Sequence, residues 1–293
     1  MIIFLAISAF AKAQMGTSLV RFSGNQIIYN PGYAGSHGLF SANLNFRQFW
    51  IGLPGAPNFF SLNAHSPFFS ERSAVGFALQ REQFGPMTLS FGNLTYAYQI
   101  PLESGILSFG VQAGAIMGVT DWNAIDGHVQ PNDPGFGEGR VATTRFDASF
   151  GALYRTARFF VGLSARHLTM PRFESVLDTF NDDMWYLQTR MQFLLVGGYN
   201  FVLNELWTLR PDLLMRYIHT EPLAVSVGAM VTYDQRFSLG AHFFSTQRAL
   251  SLSFSAQLFD GFKIGYAYDL HFGRLRSFQQ GTHEIFISYS FSH

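Results

Sequence analysis

The stretch Gly105-Ile-Leu-Ser-Phe-Gly-Val-Gln-Ala-Gly-Ala115 alternates apolar side chains with small or polar ones. A period of two is typical of a β-strand, whose successive side chains point to opposite faces. About ten residues with one strongly apolar face match a transmembrane strand of an outer-membrane barrel. The pattern returns about fourteen times, and a closed barrel is one of the two structures that satisfy every backbone amide in lipid. The sequence therefore predicts an all-β chain that forms a single transmembrane antiparallel β-barrel.

The alternating segments follow one another at hairpin spacing until residue 291. We predict about 14 strands, approximately at 39–49, 58–66, 73–82, 87–100, 105–118, 144–154, 158–167, 184–199, 206–217, 223–233, 236–245, 248–258, 261–270 and 282–291. From the second strand onward, alternate connections are short, and the longest ones, 119–143, 168–183 and 271–281, all belong to the other set. Outer-membrane barrels have short periplasmic turns and longer outer loops. Both ends of the barrel segment are thus predicted to face the periplasm.

Composition agrees with a membrane barrel. Aromatic residues make up 17% of the chain and charged residues only 13%, about half the share of charged residues in a typical soluble protein. The formal net charge is zero, so nothing favours a nucleic-acid partner. The absence of cysteine excludes disulfides and thiolate metal sites. A soluble β-sandwich remains an alternative, distinguished by extraction without detergent.

The N-terminus has the features of an export signal. Residues 1–13 contain a short apolar core and end in Ala11-Lys12-Ala13, so we expect cleavage before Gln14. Residues 14–38 are rich in Gly and Pro toward their end, which is turn chemistry. We predict a periplasmic or plug-like segment over 14–38 and the barrel over 39–293.

Three details refine the barrel prediction. The apolar parity between Leu89 and Tyr98 switches across Gly92-Asn93, which suggests a β-bulge. Pro211 is tolerable in a strand only where its missing N–H does no harm. Tryptophans near predicted strand ends suit the aromatic girdles of a membrane barrel: Trp50, Trp185 and Trp207.

Parity places charged side chains inside the barrel. The inward set is Asp147, Arg166, Arg190, Arg210, Asp212, Arg216, Lys263, Asp269 and Glu284. From it we select as candidates for partner binding or a polar lumen Arg190, Arg210, Asp212, Arg216, Asp269 and Glu284. One interpretation is a polar channel or docking surface, and the other is a closed lumen cross-linked by ion pairs. Asp269 and Glu284, on adjacent strands near the outer rim, would brace the rim if paired with Arg or Lys, and would otherwise form an acidic collar.

Nothing in the sequence favours catalysis. No nucleophile elbow, zinc-protease motif or phosphate loop is present. His283 and Glu284 alternate to opposite faces, and the remaining strand histidines are scattered: His65, His167 and His242. We therefore expect no enzyme activity, no cofactor and no metal. An Asp-Gly-His run at 126–128 and an Asn-Asp-Pro run at 132–134 suggest cation ligands only weakly, because ordinary turns have the same composition.

Several strings, in this order along the chain, resemble the PorP/SprF family of Bacteroidota outer-membrane proteins. They are Asn30-Pro31-Gly32-Tyr33-Ala34-Gly35, similar to the NPAYAG of the family, Arg47-Gln48-Phe49-Trp50-Ile51-Gly52, Gly85-Pro86, Phe159-Phe160-Val161-Gly162-Leu163-Ser164, Gly265-Tyr266-Ala267-Tyr268-Asp269 and Gly281-Thr282-His283-Glu284-Ile285. The family-motif residues of interest are Asn30, Pro31, Tyr33, Gly35, Trp50, Gly281 and His283. Phe243-Phe244-Ser245 departs from the pattern, which has a Tyr-Arg pair there.

The resemblance implies a role in the type IX secretion system. It implies a non-enzymatic barrel that anchors or adapts a large secreted protein through its C-terminal sorting domain; in gliding relatives the cargo is a giant adhesin. It also implies contact with the secretion machinery from the periplasm, through a peptidoglycan-associated lipoprotein, and with membrane lipid. The alternative is a channel for hydrophobic solutes, similar to fatty-acid transporter barrels, favoured by inward aromatic side chains: Phe160, Phe244 and Phe286.

Overall fold

Fourteen antiparallel strands form one closed sheet in the computed structural model, which describes residues 25–125, 139–173, 187–219, 221–272 and 274–291. The strands are β1 Phe40–Gln48, β2 Asn58–Phe68, β3 Ser70–Phe84, β4 Met87–Leu102, β5 Gly105–Asp121, β6 Arg140–Arg155, β7 Phe159–Arg166, β8 Gln192–Tyr199, β9 Trp207–Tyr217, β10 Ala224–Tyr233, β11 Phe237–Phe244, β12 Ala249–Phe259, β13 Phe262–His271 and β14 Thr282–Phe291. Each strand pairs with its neighbours in sequence, and β1 pairs with β14 from Phe40↔Phe291 to Gln48↔His283. The predicted barrel and its strand number are confirmed.

Short elements accompany the barrel. They are α1 Gln26–Tyr29, the 3-10 helices Pro31–Tyr33, Trp122–Ile125 and Arg274–Phe278, a two-stranded pair Arg172–Phe173 and Leu187–Gln188, and a short extension of β8, Phe201–Val202.

No helix among the described residues is both long and apolar enough to cross a membrane.

The predicted eighth strand, 184–199, is too long at its start. Strand β8 begins at Gln192, and residues 187–188 belong instead to the small pair with 172–173 in an outer loop. Arg190 lies between these elements and is exposed. Its placement among the inward strand residues is therefore wrong, because the loop ends later than the alternation suggested.

The two faces of the sheet differ as predicted. The outward face carries apolar side chains with large exposed fractions, including Leu94, Phe146, Leu163 and Leu239 at 61–73%. The inward face carries buried polar side chains on the opposite parity, such as Asn45, Ser61 and Ser251. A continuous exposed apolar band of this size is stable only in contact with lipid.

The bulge expected at Gly92-Asn93 is absent. Strand β4 keeps an unbroken register with β3 and β5, and Leu89, Phe91 and Asn93 all face inward. The inward face itself becomes apolar toward the outer end, which made the parity appear to switch. Register shifts occur instead at Pro67/Phe68 and Gln257/Phe259.

Pro211 lies where strand pairing is interrupted. On the β8 side, pairing with β9 covers Asp212–Tyr217, resumes at Thr208–Leu209 and leaves Pro211 opposite the break near Asn200. The missing N–H of the proline is thus tolerated at a local irregularity, as predicted.

Residues 25–38 lie inside the barrel and are called the plug below. Ile27, Ile28 and Tyr29 are buried in one apolar cluster with Ala74 and Ala97 of one wall and, across the lumen, with residues of β8 and β9: Leu194, Val196 and Leu214. The plug therefore spans the lumen, and the chain then enters β1 at its inner end. Residues 1–24, which include the expected signal and the start of the 14–38 segment, lie outside the described residues.

Candidate functional site: the filled lumen

Asn30 fixes the plug to the barrel wall. Its side-chain Nδ2 donates to the carbonyl oxygens of Ala152 (2.9 Å) and Leu163 (3.3 Å), and its Oδ1 accepts from the backbone N–H of Gly32 (2.9 Å). The side chain is buried, so these bonds satisfy polar groups that water does not reach. An amide is required because the site needs donors and an acceptor on one short side chain.

Three glycines of the barrel wall make room for this segment. Gly110, Gly151 and Gly162 lie on the adjacent strands β5, β6 and β7, and Gly110 pairs directly with Gly151. A Cβ at Gly110 would overlap the backbone of Pro31, and a Cβ at Gly151 would overlap Asn30. At Gly162 a Cβ would lie 2.6 Å from Asn30 Nδ2. These glycines therefore form a recess that only a wall without side chains can offer.

The second half of the plug contacts β2, β3 and β4. The backbone N–H of Gly35 donates to Nδ1 of His65 (3.1 Å), and Gln99 donates to the carbonyl oxygen of Ala34 (3.4 Å). Gly35 has a φ of +70°, which favours glycine, and a Cβ there would overlap Ala74. Tyr33 packs edge-on against the ring of His65. Each of these turn residues of the plug thus has its own contact on the barrel wall.

A buried ionic cluster joins the first strand to the last two near the outer rim. Arg47 of β1 forms ion pairs with Asp269 of β13 and with Glu284 of β14, the latter at 2.8 Å. Asn45 donates to Glu284 (2.9 Å), and Ser251 donates to Asp269. Arg47 is 0% exposed and each carboxylate 1%. Asp269 and Glu284 therefore brace the rim, and they are not a free acidic collar.

Two histidine–aspartate pairs also lie within the barrel, and parity alone did not predict them. His167 Nδ1 lies 2.7 Å from Asp147, and His242 Nε2 lies 3.0 Å from Asp212. His167 follows β7, and its burial lowers the pKa of its imidazole, although the hydrogen bond to Asp147 acts in the opposite direction. The imidazole is consequently neutral near pH 7 and donates its Nδ1 proton to the carboxylate.

The other charged candidates divide into two groups. Arg210 is half-buried near the inner end of β9, and Arg216 is buried near its outer end, on the same inward face as Asp212. Arg190 is exposed in the outer loop before β8. The structure thus brings Asp269 and Glu284 together around Arg47, a residue that the parity argument did not select.

An apolar cluster fills the outer part of the lumen on the opposite wall. Leu89 and Phe91 of β4 and Ile116 of β5 pack with Phe173 of the outer loop that follows β7. A Cβ at Gly118 would lie 2.7 Å from the Phe173 ring. Phe173 thus packs inward onto the wall, and residues 174–186, which follow it in sequence, lie outside the described residues.

Among the described residues, no cluster of three His, Asp or Glu side chains has the geometry to hold a metal ion. The Asp-Gly-His and Asn-Asp-Pro runs lie in 126–138, outside the described residues.

The profile of the family described as "Type IX secretion system membrane protein PorP/SprF" matches residues 11–289, nearly the whole chain. The chain belongs to the PorP/SprF family. The resemblance inferred from its motifs is confirmed, and with it a place in type IX secretion. No curated protein matches the sequence.

Two solved structures with a similar fold are toluene transporters. The Ralstonia pickettii transporter TbuX has a TM-score of 0.55 at 11% identity, over 90% of this chain and 92% of that one. The P. putida transporter TodX has a TM-score of 0.53 at 12% identity, over 90% and 93%. At these identities the likeness shows the barrel fold alone. Fold and family together establish that this PorP/SprF protein is located in the outer membrane.

The remaining motif residues of this PorP/SprF barrel lie at the outer rim. Trp50 follows β1 and packs on the ring of His271. Gly281 has a φ of +95° and precedes β14, and its carbonyl oxygen accepts from the N–H of Ile51 (2.9 Å). His283 faces outward between Tyr266 and Tyr268, on the side opposite Glu284, as predicted. Trp185 lies outside the described residues.

Proposed function

We propose that this protein is a non-enzymatic anchor or adaptor of type IX secretion. It would hold a large secreted protein, adhesin-like in gliding relatives, during export or surface attachment, through the C-terminal domain of that protein. The observation that carries this proposal is the filled lumen. A folded cargo domain has no route past a plug that hydrogen-bonds to β6 and β7 and packs on β3, β4, β8 and β9.

The fastening of the plug supports an anchor more than a conduit. Displacing it would leave Asn25, Asn30 and the carbonyl oxygen of Tyr29 without their partners Asn63, Ala152 and Ser164. Each buried polar group that loses its partner costs about 1–3 kcal/mol. Opening the lumen would therefore break many stabilising contacts of the plug at once.

The surfaces for partners lie at the two ends of the barrel. We expect cargo to engage the outer loops 119–143 and 168–183, or to pair as an extended strand. We expect the secretion components, including a peptidoglycan-associated lipoprotein, to approach from the periplasmic turns. We propose no catalytic role for this protein.

Co-purification tests the anchor role. The detergent-solubilised barrel should retain the C-terminal domain of a large secreted protein from the same cell, whereas the unrelated toluene-transporter barrel TodX, of similar fold, serves as the control and should not. Deleting the gene should remove that cargo from the cell surface. Retention by both barrels, or normal surface display without the protein, would exclude this role.

A hydrophobic-solute channel is the second candidate, because Phe160, Phe244 and Phe286 face inward. Apolar solute bound in the lumen of the purified protein, identified by mass spectrometry, together with solute uptake that is lost on deletion, would favour it over the anchor.

The expected processing has its own test. We propose that residues 1–13 are removed on export and that 14–38 form the plug segment of a barrel that spans 39–293. The mature protein should begin at Gln14 by N-terminal sequencing, and a mature chain that retains Met1 would contradict the assignment.

A further inference from the structure

Two arginine side chains inside the barrel form no hydrogen bond or ion pair with the described part of the chain. Arg166 ends β7 and Arg216 lies near the end of β9, and each is only 9% exposed. Nε of Arg166 is buried without a partner. Strand β8 separates them, with Gln192 opposite Arg166 and Leu194 opposite Arg216. With one strand between them, the backbones of Arg166 and Arg216 lie roughly 10–12 Å apart, so their like charges repel each other.

The nearest carboxylates are engaged elsewhere. Asp147 accepts from His167 (2.7 Å) and from Thr169 (3.1 Å). Asp212 bonds to His242. An unpaired buried charge is costly, so this arrangement calls for an anion that the described part of the chain does not supply.

A narrow cleft begins at Arg216. Tyr29 of the plug forms one side, and the outer ends of β9, β10 and β11 form the other. Its walls are mainly apolar and include Leu214, Val225 and Phe244. Because these strand ends lie at the outer mouth, a group entering the cleft would come from outside the cell. The cleft encloses about 10 Å³, which is room for about one water-sized group, so only the charged end of a ligand would enter it.

We propose that Arg216, assisted by Arg166, binds a carboxylate that enters from the outer mouth. A guanidinium matches a carboxylate with two parallel hydrogen bonds. The carbon next to the carboxylate would contact the apolar walls. The same chemistry is offered by a peptide carboxylate and by a small organic acid. The site does not depend on the secretion role.

Calorimetry on the full barrel in neutral detergent tests this site with four probes. These are butyrate, its neutral analogue butyramide, acetyl-Ala-Phe with a free carboxylate, and the same dipeptide amidated. At least one acid should bind while its amide does not. Arg216→Gln should weaken that binding at least tenfold, and Arg166→Gln should weaken it to a smaller extent. Arg248→Gln, at an exposed outer turn, should change it less than twofold.

The four probes distinguish the two possible kinds of ligand. Binding of butyrate alone identifies a small organic acid, and binding of the peptide acid alone identifies a peptide carboxylate. Without any probe, Arg216→Gln should melt at the same temperature as the parent or higher, since a repelled, unpaired charge is removed. No binding of either acid at millimolar concentration, binding unchanged in Arg216→Gln, or a variant that melts several degrees lower would overturn the proposal.

Discussion

For single residues of the lumen, the sequence predicted which face of the sheet a side chain lies on, but not which residue it pairs with. The alternation in β1 places Asn43 and Asn45 inward, and the same count places Arg47 inward. Its partner Glu284 lies 237 residues away and meets it only because the last strand pairs with the first. Parity therefore gives the face of a charged side chain. The partner depends on closure and register, which a two-residue slip would change.

Replacing Asn30 should loosen the plug. Asn30→Ala removes three hydrogen bonds in a buried site, and at ~1 kcal/mol each we expect a loss of about 2–3 kcal/mol in the free energy of unfolding. Urea denaturation in lipid vesicles measures it. Asn123→Ala, at an exposed position in an outer loop, is the matched control and should change the free energy by less than about 0.5 kcal/mol.

Replacing Arg47 should be more damaging. Arg47→Met leaves Asp269 and Glu284 as buried carboxylates without their cation, and breaking a buried pair in this way costs about 3–5 kcal/mol. Glu284→Gln should cost clearly less, because the pair between Arg47 and Asp269 remains. Equal losses in the two variants, measured by the same urea titration, would contradict the bracing role.

At the scale of elements, the strands were predictable from the sequence, whereas the packing of side chains inside the barrel was not. Fourteen alternating segments gave fourteen strands because lipid on one face and a polar lumen on the other enforce the pattern. The prediction failed where this rule fails. Leu89 and Phe91 are apolar yet inward, since they pack on Phe173 of a loop. The turn residues of the plug indicated irregular chain but contained no signal for the glycine recess that receives it.

The recess should tolerate no side chain. Gly151→Ala would place a methyl group against Asn30, and we expect overpacking of about 1–3 kcal/mol. We also expect a rise in ion conductance when the plug is displaced. Gly197→Ala, on the outward face of β8 with its nearest atom 3.5 Å away, is the control. A Gly151→Ala barrel with unchanged stability and no rise in ion conductance would show that the plug is not held in this recess.

The loop after β7 should make stability depend on pH. The folded pKa of His167 is lowered by burial, so below the unfolded value of about 6.5 the unfolded chain binds the proton first. Stability should therefore fall as pH drops from 7 to 5, by at most about 1.4 kcal/mol per pH unit from this residue. His167→Gln should flatten this part of the profile. If the slope stays unchanged, His167 is not held neutral.

The whole molecule combines a lipid-facing barrel with a lumen that its own N-terminal segment fills. Composition and the alternation of apolar and polar residues predicted the barrel and its location in a membrane, and the sequence motifs predicted the family. Whether the lumen is open was left undecided by the sequence, because it depends on how residues 25–38 fold back and on which charges meet. The fastening of the plug by Asn30 and the bracing by Arg47 show that described residues occupy the lumen, and this supports the proposed role of an anchor that does not itself conduct cargo.

Single-channel recording in planar lipid bilayers tests this closure most directly. The purified protein should insert and remain almost silent at moderate voltage, while Gly151→Ala, in which the plug no longer fits its recess, should pass measurable current. A steady, large current from the unmodified protein, equal to that of the Gly151→Ala variant, would mean that the lumen is an open pore and would contradict the account.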